Sequence, residues 1–228
     1  MSAYEYYNYN NIYKTLKIYN ITEEVKDILK NDKNIRKIVL CDHFNEILPI
    51  LPSYIIHIDL GWKFNQVLCK LPDNLLLLKL SYFYNHLLPI LPESLIELKL
   101  SYYYNYPLAD LPYKLKKLFL GNNFNHSLDY LPQNLLELYI DNGYNIPLIN
   151  LPNTLKVLYI GLDYNQTLDV LPDSIEILKI ANDKLEINKL PSKIQKIIVN
   201  KSYKYIDKLL MLKPNLIIID FDGYILYL

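Results

Sequence analysis

An asparagine recurs every twenty residues along the middle of this 228-residue chain, each time directly after Phe or Tyr. A side-chain amide offers a hydrogen-bond acceptor and two donors, so such a row could bind a polar ligand or satisfy backbone groups of neighbouring segments. Packed loops need partners for their backbone groups, and a feature copied in every repeat fits that need better than a site that usually occurs once. We interpret the series as a structural asparagine ladder, formed by Asn45, Asn65, Asn85, Asn105, Asn125, Asn145 and Asn165.

The histidines are the other residues whose chemistry deserves a test. His43, His57, His86 and His126 are scattered, and only His86 and His126 share a position in the repeat. Two strand spacings would separate that pair by about 10 Å, too far for one metal ion with ligand bonds of about 2 Å. The sequence contains no Gly-rich phosphate loop and no recognisable Ser-His-Asp or Cys-His arrangement. We expect neither an enzyme nor a metal or cofactor.

All of these residues lie on a twenty-residue repeat that Leu-Pro marks at 51–52, 71–72, 91–92, 111–112, 131–132, 151–152 and 171–172, and one residue early at 190–191. Counted from Leu-Pro, the fifth, eighth and tenth positions are Leu or Ile, and the eighteenth is Leu. Twenty residues are too few for a domain but fit one coil of a leucine-rich solenoid. The alternation around positions eight and ten predicts a short half-buried strand, and stacked coils would pair these strands in a parallel sheet.

The predicted fold is a leucine-rich-repeat-like solenoid with about eleven short parallel strands on its concave face. Proline lacks an N–H group, so the Leu-Pro half of the repeat should form a helix-free convex side of extended segments and turns. We predict an N-terminal cap over 1–30, repeats over 31–200 and a C-terminal cap over 201–228, in one continuous domain.

Each predicted cap combines a strand with a helix. In the N-terminal cap, the residues at 20–23 resemble a helix start before a helix at about 22–30. In the C-terminal cap we expect a helix at about 203–212, then a strand with Leu216, Ile219 and Phe221 inward, and a hairpin at Asp222-Gly223 that covers the last strand edge.

The positions at which the repeat varies are the candidates for binding. Positions seven and nine flank the inward leucine and should point away from the sheet. Their apolar members in four adjacent coils are Phe119, Tyr139, Tyr159, Val157 and Ile177, a candidate hot spot for a partner protein unless they are only tyrosine-rich drift on a tolerant surface. A weaker candidate follows the earlier strands and consists of Trp62, Tyr82, Phe83, Tyr102 and Tyr103. The aromatics before the ladder asparagines should stack in a row with ring tips near solvent.

Composition narrows the partners and the compartment. A formal net charge of zero argues against nucleic acid and anionic membranes as main partners. The chain has no apolar run long enough to span a bilayer, and its start does not resemble a signal peptide. Cys41 and Cys69 fall at different repeat positions, so we expect free thiols. Glycosylation sequons at Asn125 and Asn165 would coincide with buried ladder positions, and together these features predict a cytoplasmic protein.

The repeat unit resembles the FNIP repeat, a leucine-rich-repeat relative found in social amoebae and in giant viruses that infect amoebae. YNIPL at 144–148 differs from the Phe-Asn-Ile-Pro signature by one hydroxyl, and YNYPL at 104–108 is similar. The resemblance covers residues 31–200. It implies a protein-interaction scaffold, and the host cytoplasm if the protein is viral. Many viral members carry an F-box before the repeats, but the roughly thirty residues here are too few for one.

We therefore predict a non-enzymatic scaffold that binds a host or other partner protein through the concave sheet surface. Two alternatives stay open: a self-assembling structural or virion-associated protein, and a substrate-recognition subunit linked to ubiquitin ligase machinery. The capped ends argue against end-to-end filaments and favour a monomer.

Overall fold

The computed structural model describes residues 3–9 and 13–227 of the chain. The parts of the two predicted caps that fall on residues 1, 2, 10–12 and 228 lie outside the described residues. The helices are α1 (Glu23–Asn31) and α2 (Ile206–Leu212). The strands are β1 (Tyr4–Tyr9), β2 (Tyr13–Ile18), β3 (Ile35–Leu40), β4 (His57–Asp59), β5 (Leu77–Lys79), β6 (Glu97–Lys99), β7 (Lys117–Phe119), β8 (Glu137–Ile140), β9 (Val157–Ile160), β10 (Ile177–Ile180), β11 (Lys196–Val199), β12 (Ile217–Asp220) and β13 (Ile225–Tyr227).

The chain divides into two compact units. The first consists of the residues up to Tyr106 together with Asp110–Leu115. The second consists of Pro107–Ala109 together with the residues from Lys116 onward. In the first unit β1 pairs with β2 antiparallel, and β2 to β6 pair in parallel, each with the next. In the second unit β7 to β12 pair in parallel and β13 closes the series antiparallel. Among the described residues, the first unit thus contains five parallel strands and the second contains six. This confirms the predicted solenoid with about eleven parallel strands.

Equivalent repeat positions lie side by side in each unit and form the core. Leu138 pairs with Leu158, and Leu158 with Leu178, so the inward leucines stack from coil to coil. These three side chains are completely buried. Burying apolar side chains of this size supplies the main stabilisation of such a stack.

The Leu-Pro element starts a tight turn, within the predicted convex side of extended segments and turns. The N–H of the fifth repeat residue donates to the proline C=O, at 3.1 Å for Leu75 and Pro72 and at 3.0 Å for Leu155 and Pro152. The proline needs only to accept in this turn, so its missing N–H costs nothing. The turn explains why the spacing from Pro to the next inward leucine is constant.

The aromatic residues before the ladder asparagines stack as predicted, but their ring tips do not reach solvent. Ring centroids are 6.2 Å apart for Phe44 and Phe64 and 6.4 Å apart for Tyr144 and Tyr164. All seven side chains of the series are at most 2% exposed: Phe44, Phe64, Tyr84, Tyr104, Phe124, Tyr144 and Tyr164. The prediction failed because the loop that follows closes over the rings, and the Tyr84 hydroxyl donates to Leu87 O at 3.4 Å.

The ladder asparagines form side-chain-to-backbone hydrogen bonds between neighbouring coils. In the first unit Asn45 Oδ1 accepts from the N–H of Asn65 at 2.8 Å, and Asn65 Oδ1 accepts from Asn85 at 3.0 Å. In the second unit Asn125 accepts from Asn145 at 3.2 Å and Asn145 from Asn165 at 3.0 Å. These contacts support the structural interpretation of the series, which we retain as a proposal.

The ladder side chains are not buried, contrary to our expectation. All seven are exposed except Asn145, which is half-buried. The loops that carry them lie at the surface, so each amide supplies a bond that water could otherwise make. Burial of the sequons at Asn125 and Asn165 therefore gives no argument about the compartment, and a cytoplasmic location stays a prediction.

The N-terminal helix is found close to its predicted place. The Thr22 hydroxyl accepts from the Val25 N–H at 3.3 Å, and Glu23 and Glu24 complement the positive end of the helix dipole. Val25 and Leu29 bury the inner face. Strand β1 was not predicted, because its tyrosine-rich sequence lacks a clear apolar alternation.

The C-terminal helix and hairpin are also present, but two of the three residues predicted inward in and beside β12 do not face inward. Leu216 is buried, as expected, whereas Ile219 is half-buried on the other face and Phe221 is 44% exposed. Ile218 and Asp220 take the inward positions, because Ile218 pairs with Ile197. The Asp220 carboxylate accepts from the N–H groups of Asp222 at 3.0 Å and Tyr224 at 2.8 Å, and so holds the hairpin turn.

Replacement of Tyr144 by Phe should stabilise the protein. The Tyr144 hydroxyl is buried and has no hydrogen-bond partner among the described residues, and an unsatisfied group of this kind costs about 1–3 kcal/mol. Phe occupies this repeat position in other coils, so we expect Tyr144→Phe to raise the free energy of unfolding by about 1 kcal/mol at pH 7, measured by urea denaturation.

The same variant should tolerate alkali better. Burial, with the nearby Tyr164 and Asp129, raises the pKa of Tyr144 above its ordinary value of 10.0. The unfolded tyrosine loses its proton first, so the contribution of Tyr144 to stability is constant below about pH 10 and becomes less favourable as the pH rises beyond it. Tyr203→Phe is the matched control: its hydroxyl donates to Leu185 O at 2.8 Å, so this variant should be less stable at pH 7. Equal effects of the two substitutions at pH 7 would contradict the assignment.

Replacement of Asn145 by Ala should lower the free energy of unfolding by about 0.5–1.5 kcal/mol, because the N–H of Asn165 loses its acceptor. Asn145→Asp retains an acceptor oxygen and should lose less, as measured by the same denaturation. An Asn145→Ala variant with unchanged stability would show that the ladder has no structural role.

Candidate protein-binding surface

The outward face of the strands differs between the two units. On β4 to β6 of the first unit most residues of this face are charged, and these side chains pair with one another: Lys79 lies 3.0 Å from Asp59, and Lys99 lies 2.9 Å from Glu97. In the second unit apolar residues dominate the same two repeat positions. Neighbouring strands pair in parallel with the same residue-to-residue register in both units, so the difference lies in the side chains that the repeat leaves variable.

The five predicted residues lie on this face on four adjacent strands, and we call them the sheet-face patch: Phe119, Tyr139, Tyr159, Val157 and Ile177. The rings of Phe119 and Tyr139 stack with centroids 4.2 Å apart and an interplanar angle of 6°. Tyr159 follows at 6.4 Å from Tyr139, tilted by 34°. Val157 and Ile177 are direct partners on β9 and β10.

The side chains of the sheet-face patch are half-buried, whereas we had expected exposed ones. Neighbouring strands lie only about 4.8 Å apart, so each side chain covers the flank of the next. The rings consequently offer mainly their edges and outer surfaces. A closely packed apolar surface of this kind loses little side-chain entropy when a partner covers it.

Sequence reasoning missed several apolar residues that extend this face towards the C-terminal hairpin. Pairing places Ile198 beside Lys179 and Ile219 beside Ile198, while Phe221 packs edge-on against Tyr159 at 6.2 Å. The last coils depart from the twenty-residue spacing, which hid this alignment. The available signal is the alternation of outward and inward residues in KIIV (β11) and IIID (β12). It aligns these residues with the patch only when the pairing of the strands is known.

The electrostatics of the sheet-face patch are those of a neutral surface with charges at its side. Lys117 and Glu137 form an ion pair at 2.9 Å, and the Tyr139 hydroxyl donates to Glu137 at 3.0 Å. Burial, and secondarily Asp141, raises the pKa of Tyr159, so its hydroxyl stays protonated at physiological pH. An apolar centre beside charged groups is the usual anatomy of a protein interface.

The weaker predicted candidate is also brought together, in the first unit, and we call it the aromatic platform. Trp62, Tyr82 and Tyr102 form one stacked row, with centroid separations of 4.2 Å and 4.8 Å. Phe83 and Tyr103 form a second row, stacked at 5.5 Å. The second row stands nearly perpendicular to the first, at 88° between Tyr82 and Tyr103.

The histidines and cysteines are not brought together for chemistry. His57 Nδ1 lies 3.1 Å from the Tyr13 hydroxyl, and burial lowers the pKa of this imidazole. Cys41 and Cys69 are free thiols. Within residues 3–9 and 13–227, no three His, Cys, Asp or Glu side chains are close enough together to hold a metal ion. Neither helix in the same part of the chain has the length and apolarity needed to cross a lipid bilayer.

Comparisons with known proteins agree with the repeat and the fold. The model of the family described as FNIP Repeat matches residues 84–123 and 144–183. A solved structure described as CroV588, a novel circular LRR protein, is similar with a TM-score of 0.63 and 22% identity, over 89% of this chain and 39% of that chain. YopM from Yersinia enterocolitica WA-314 aligns over 81% of this chain and 44% of that chain, with 22% identity and a TM-score of 0.49.

No curated protein matches the sequence. This chain spans less than half the length of either solved structure, and at 22% identity the likeness to CroV588 concerns the fold alone. FNIP and leucine-rich repeats are typically non-enzymatic scaffolds, and folds of this type generally mediate contacts between proteins. The chain folds as a leucine-rich-repeat-like solenoid, and its residues 84–123 and 144–183 match the FNIP Repeat model.

Proposed function

We propose that the protein is a non-enzymatic interaction scaffold and that it binds a partner protein through the sheet-face patch of its second unit. The observation that supports this role most directly is the contrast between the two units. The same repeat positions carry self-paired charges in the first unit and adjoining apolar rings in the second.

The energetics favour a protein as the occupant. Aromatic residues are enriched at the centres of protein interfaces, where a few of them supply most of the binding free energy. Phe119, Tyr139 and Tyr159 offer three such rings in one row, extended by Phe221. Already packed against one another, these rings need little ordering on binding.

The charged groups around the patch and the net charge of the chain also favour a protein as the partner. The patch lies beside the Lys117–Glu137 pair, and Lys179 on β10 is the pairing partner of Tyr159, so both signs of charge border the patch. A formal net charge of zero gives no general attraction to polyanions. We propose a partner whose contact surface is apolar with a mixed-charge border, and we place the complex in the cytoplasm.

Substitution of Tyr159 by Lys should weaken partner binding about 30-fold or more, the loss that a hot-spot residue of about 2 kcal/mol gives. The fold should tolerate the change, because Lys79, Lys99 and Lys179 occupy the same repeat position. The measurement is the affinity of purified variants for a partner isolated from amoebal lysate, with the melting temperature as the check on folding.

Tyr130→Lys is the matched control, because Tyr130 is 89% exposed in the second unit and lies outside its strands. It should bind like the unmodified protein. Unchanged binding by Tyr159→Lys, or an equal loss in Tyr130→Lys, would contradict the proposed surface. Light scattering tests the alternative role in self-assembly. A defined oligomer that Tyr159→Lys dissociates would make the patch a self-assembly surface instead.

A further inference from the structure

The aromatic platform of the first unit has an open end. Its first row is a regular stack in which Trp62 lies against Tyr82 at an interplanar angle of 7°, and Tyr82 against Tyr102 at 21°. Stacked rings use their faces on one another, so only the faces at the ends of the row are available. Trp62 is the first member, and its side chain is 47% exposed.

Asp42 stands where the preceding ring of the row would be. It holds the same repeat position one coil before Trp62, and the N–H of Lys63 donates to Asp42 O at 3.0 Å, so the two turns run side by side. An aspartate is much shorter than a ring and cannot cover the face of the indole as a stacked ring would. Asp42 is exposed, and its carboxylate forms no ion pair or side-chain hydrogen bond within the described residues.

The outer face of Trp62 and the Asp42 carboxylate attract the same kind of group. The face of an indole carries the negative part of its quadrupole and attracts cations more strongly than the other aromatic rings. The carboxylate adds a full negative charge and two acceptor oxygens. A guanidinium satisfies both, because its flat surface can continue the stack while its N–H groups donate to the carboxylate in pairs.

We propose that Trp62 and Asp42 form a binding site for an arginine side chain of a partner protein. The arginine inserts as the missing first member of the row, flat against the indole and paired with Asp42. This site lies in the first unit and is independent of the sheet-face patch, so either proposal can fail without the other.

The occupant is not supplied by this chain. Its single arginine, Arg36, lies over the Tyr54 ring at 5.8 Å and donates to the carbonyl oxygens of Lys33 and Ile35. A second copy of the protein would therefore have to break these contacts to offer an arginine. A lysine fits less well, because its ammonium is compact and strongly hydrated and cannot stack. A nucleobase could stack on the indole, but its phosphates would be repelled by Asp42.

The test uses the single tryptophan as the reporter. Acetyl-Gly-Arg-Gly-amide is titrated into the full chain, in the millimolar range and at constant ionic strength, while Trp62 fluorescence is followed. We expect a saturable change with the arginine peptide, a weaker response with its lysine analogue, and none with its citrulline analogue, which is neutral but of similar shape.

Asp42→Asn should raise the peptide concentration needed for half-saturation by about threefold to fivefold, the effect expected from losing an exposed charge pair. Asp163→Asn, which removes another exposed carboxylate in the second unit, should leave it unchanged. Trp62→Leu should abolish binding measured by NMR of the peptide, and the fold accommodates leucine at this repeat position in Leu162. Equal responses to arginine and citrulline, an unaffected Asp42→Asn variant, or tighter binding of a single-stranded oligonucleotide than of the arginine peptide would each overturn the proposal.

Discussion

Parallel pairing of equivalent strands, one coil against the next, is the constraint on which the rest of the structure depends. Leu138, Leu158 and Leu178 pair in register, and so the strand residues of a coil lie beside their counterparts in the next wherever the twenty-residue period holds. One side chain that fits its neighbour's copy fits the whole stack. A side chain that packs poorly against its own copy would disturb the packing of every coil in which it recurs. The chain therefore repeats the residues that pack and varies those that do not.

The same constraint turns single residues into rows with collective properties. A buried ring such as Tyr144 lies against Tyr164 at 6.4 Å, and an asparagine such as Asn145 accepts from Asn165 at 3.0 Å. On the surface, the rule brings together side chains twenty residues apart. The stacks of Phe119 with Tyr139 and of Trp62 with Tyr82 both arise in this way, each with centroids 4.2 Å apart. Surface function in this architecture is thus encoded in columns of the repeat.

The two proposed surfaces use opposite properties of such columns. The sheet-face patch depends on a column that stays apolar over several coils and offers a continuous area. The arginine site depends on a column that is interrupted, because Asp42 breaks the series that Trp62 begins. Both surfaces leave the inward leucines untouched, which is why substitutions in them can separate binding from folding.

Most of the fold could be predicted from the repeat, because the spacing of Leu-Pro and of the inward leucines leaves few other ways to bury them. The residues of the candidate surface followed from the same counting, since Phe119, Tyr139 and Tyr159 are multiples of twenty residues apart. Where the spacing changes, the prediction failed: on β12 Ile218 and Asp220 face inward in place of Ile219 and Phe221.

By itself the sequence determined which residues lie in one column, because a strict period fixes the stacking. Only the tertiary structure decided how deep each column lies. Tyr144 is buried and Asn125 is exposed in loops that contact each other between coils, as in the bond from the Asn145 N–H to Asn125, and no single repeat contains such contacts. The carboxylate of Asp220 is likewise buried, because the hairpin folds back onto it and the N–H groups of Asp222 and Tyr224 donate to it. Burial is a property of neighbours in space, and the pattern along the chain names those neighbours only while the period holds.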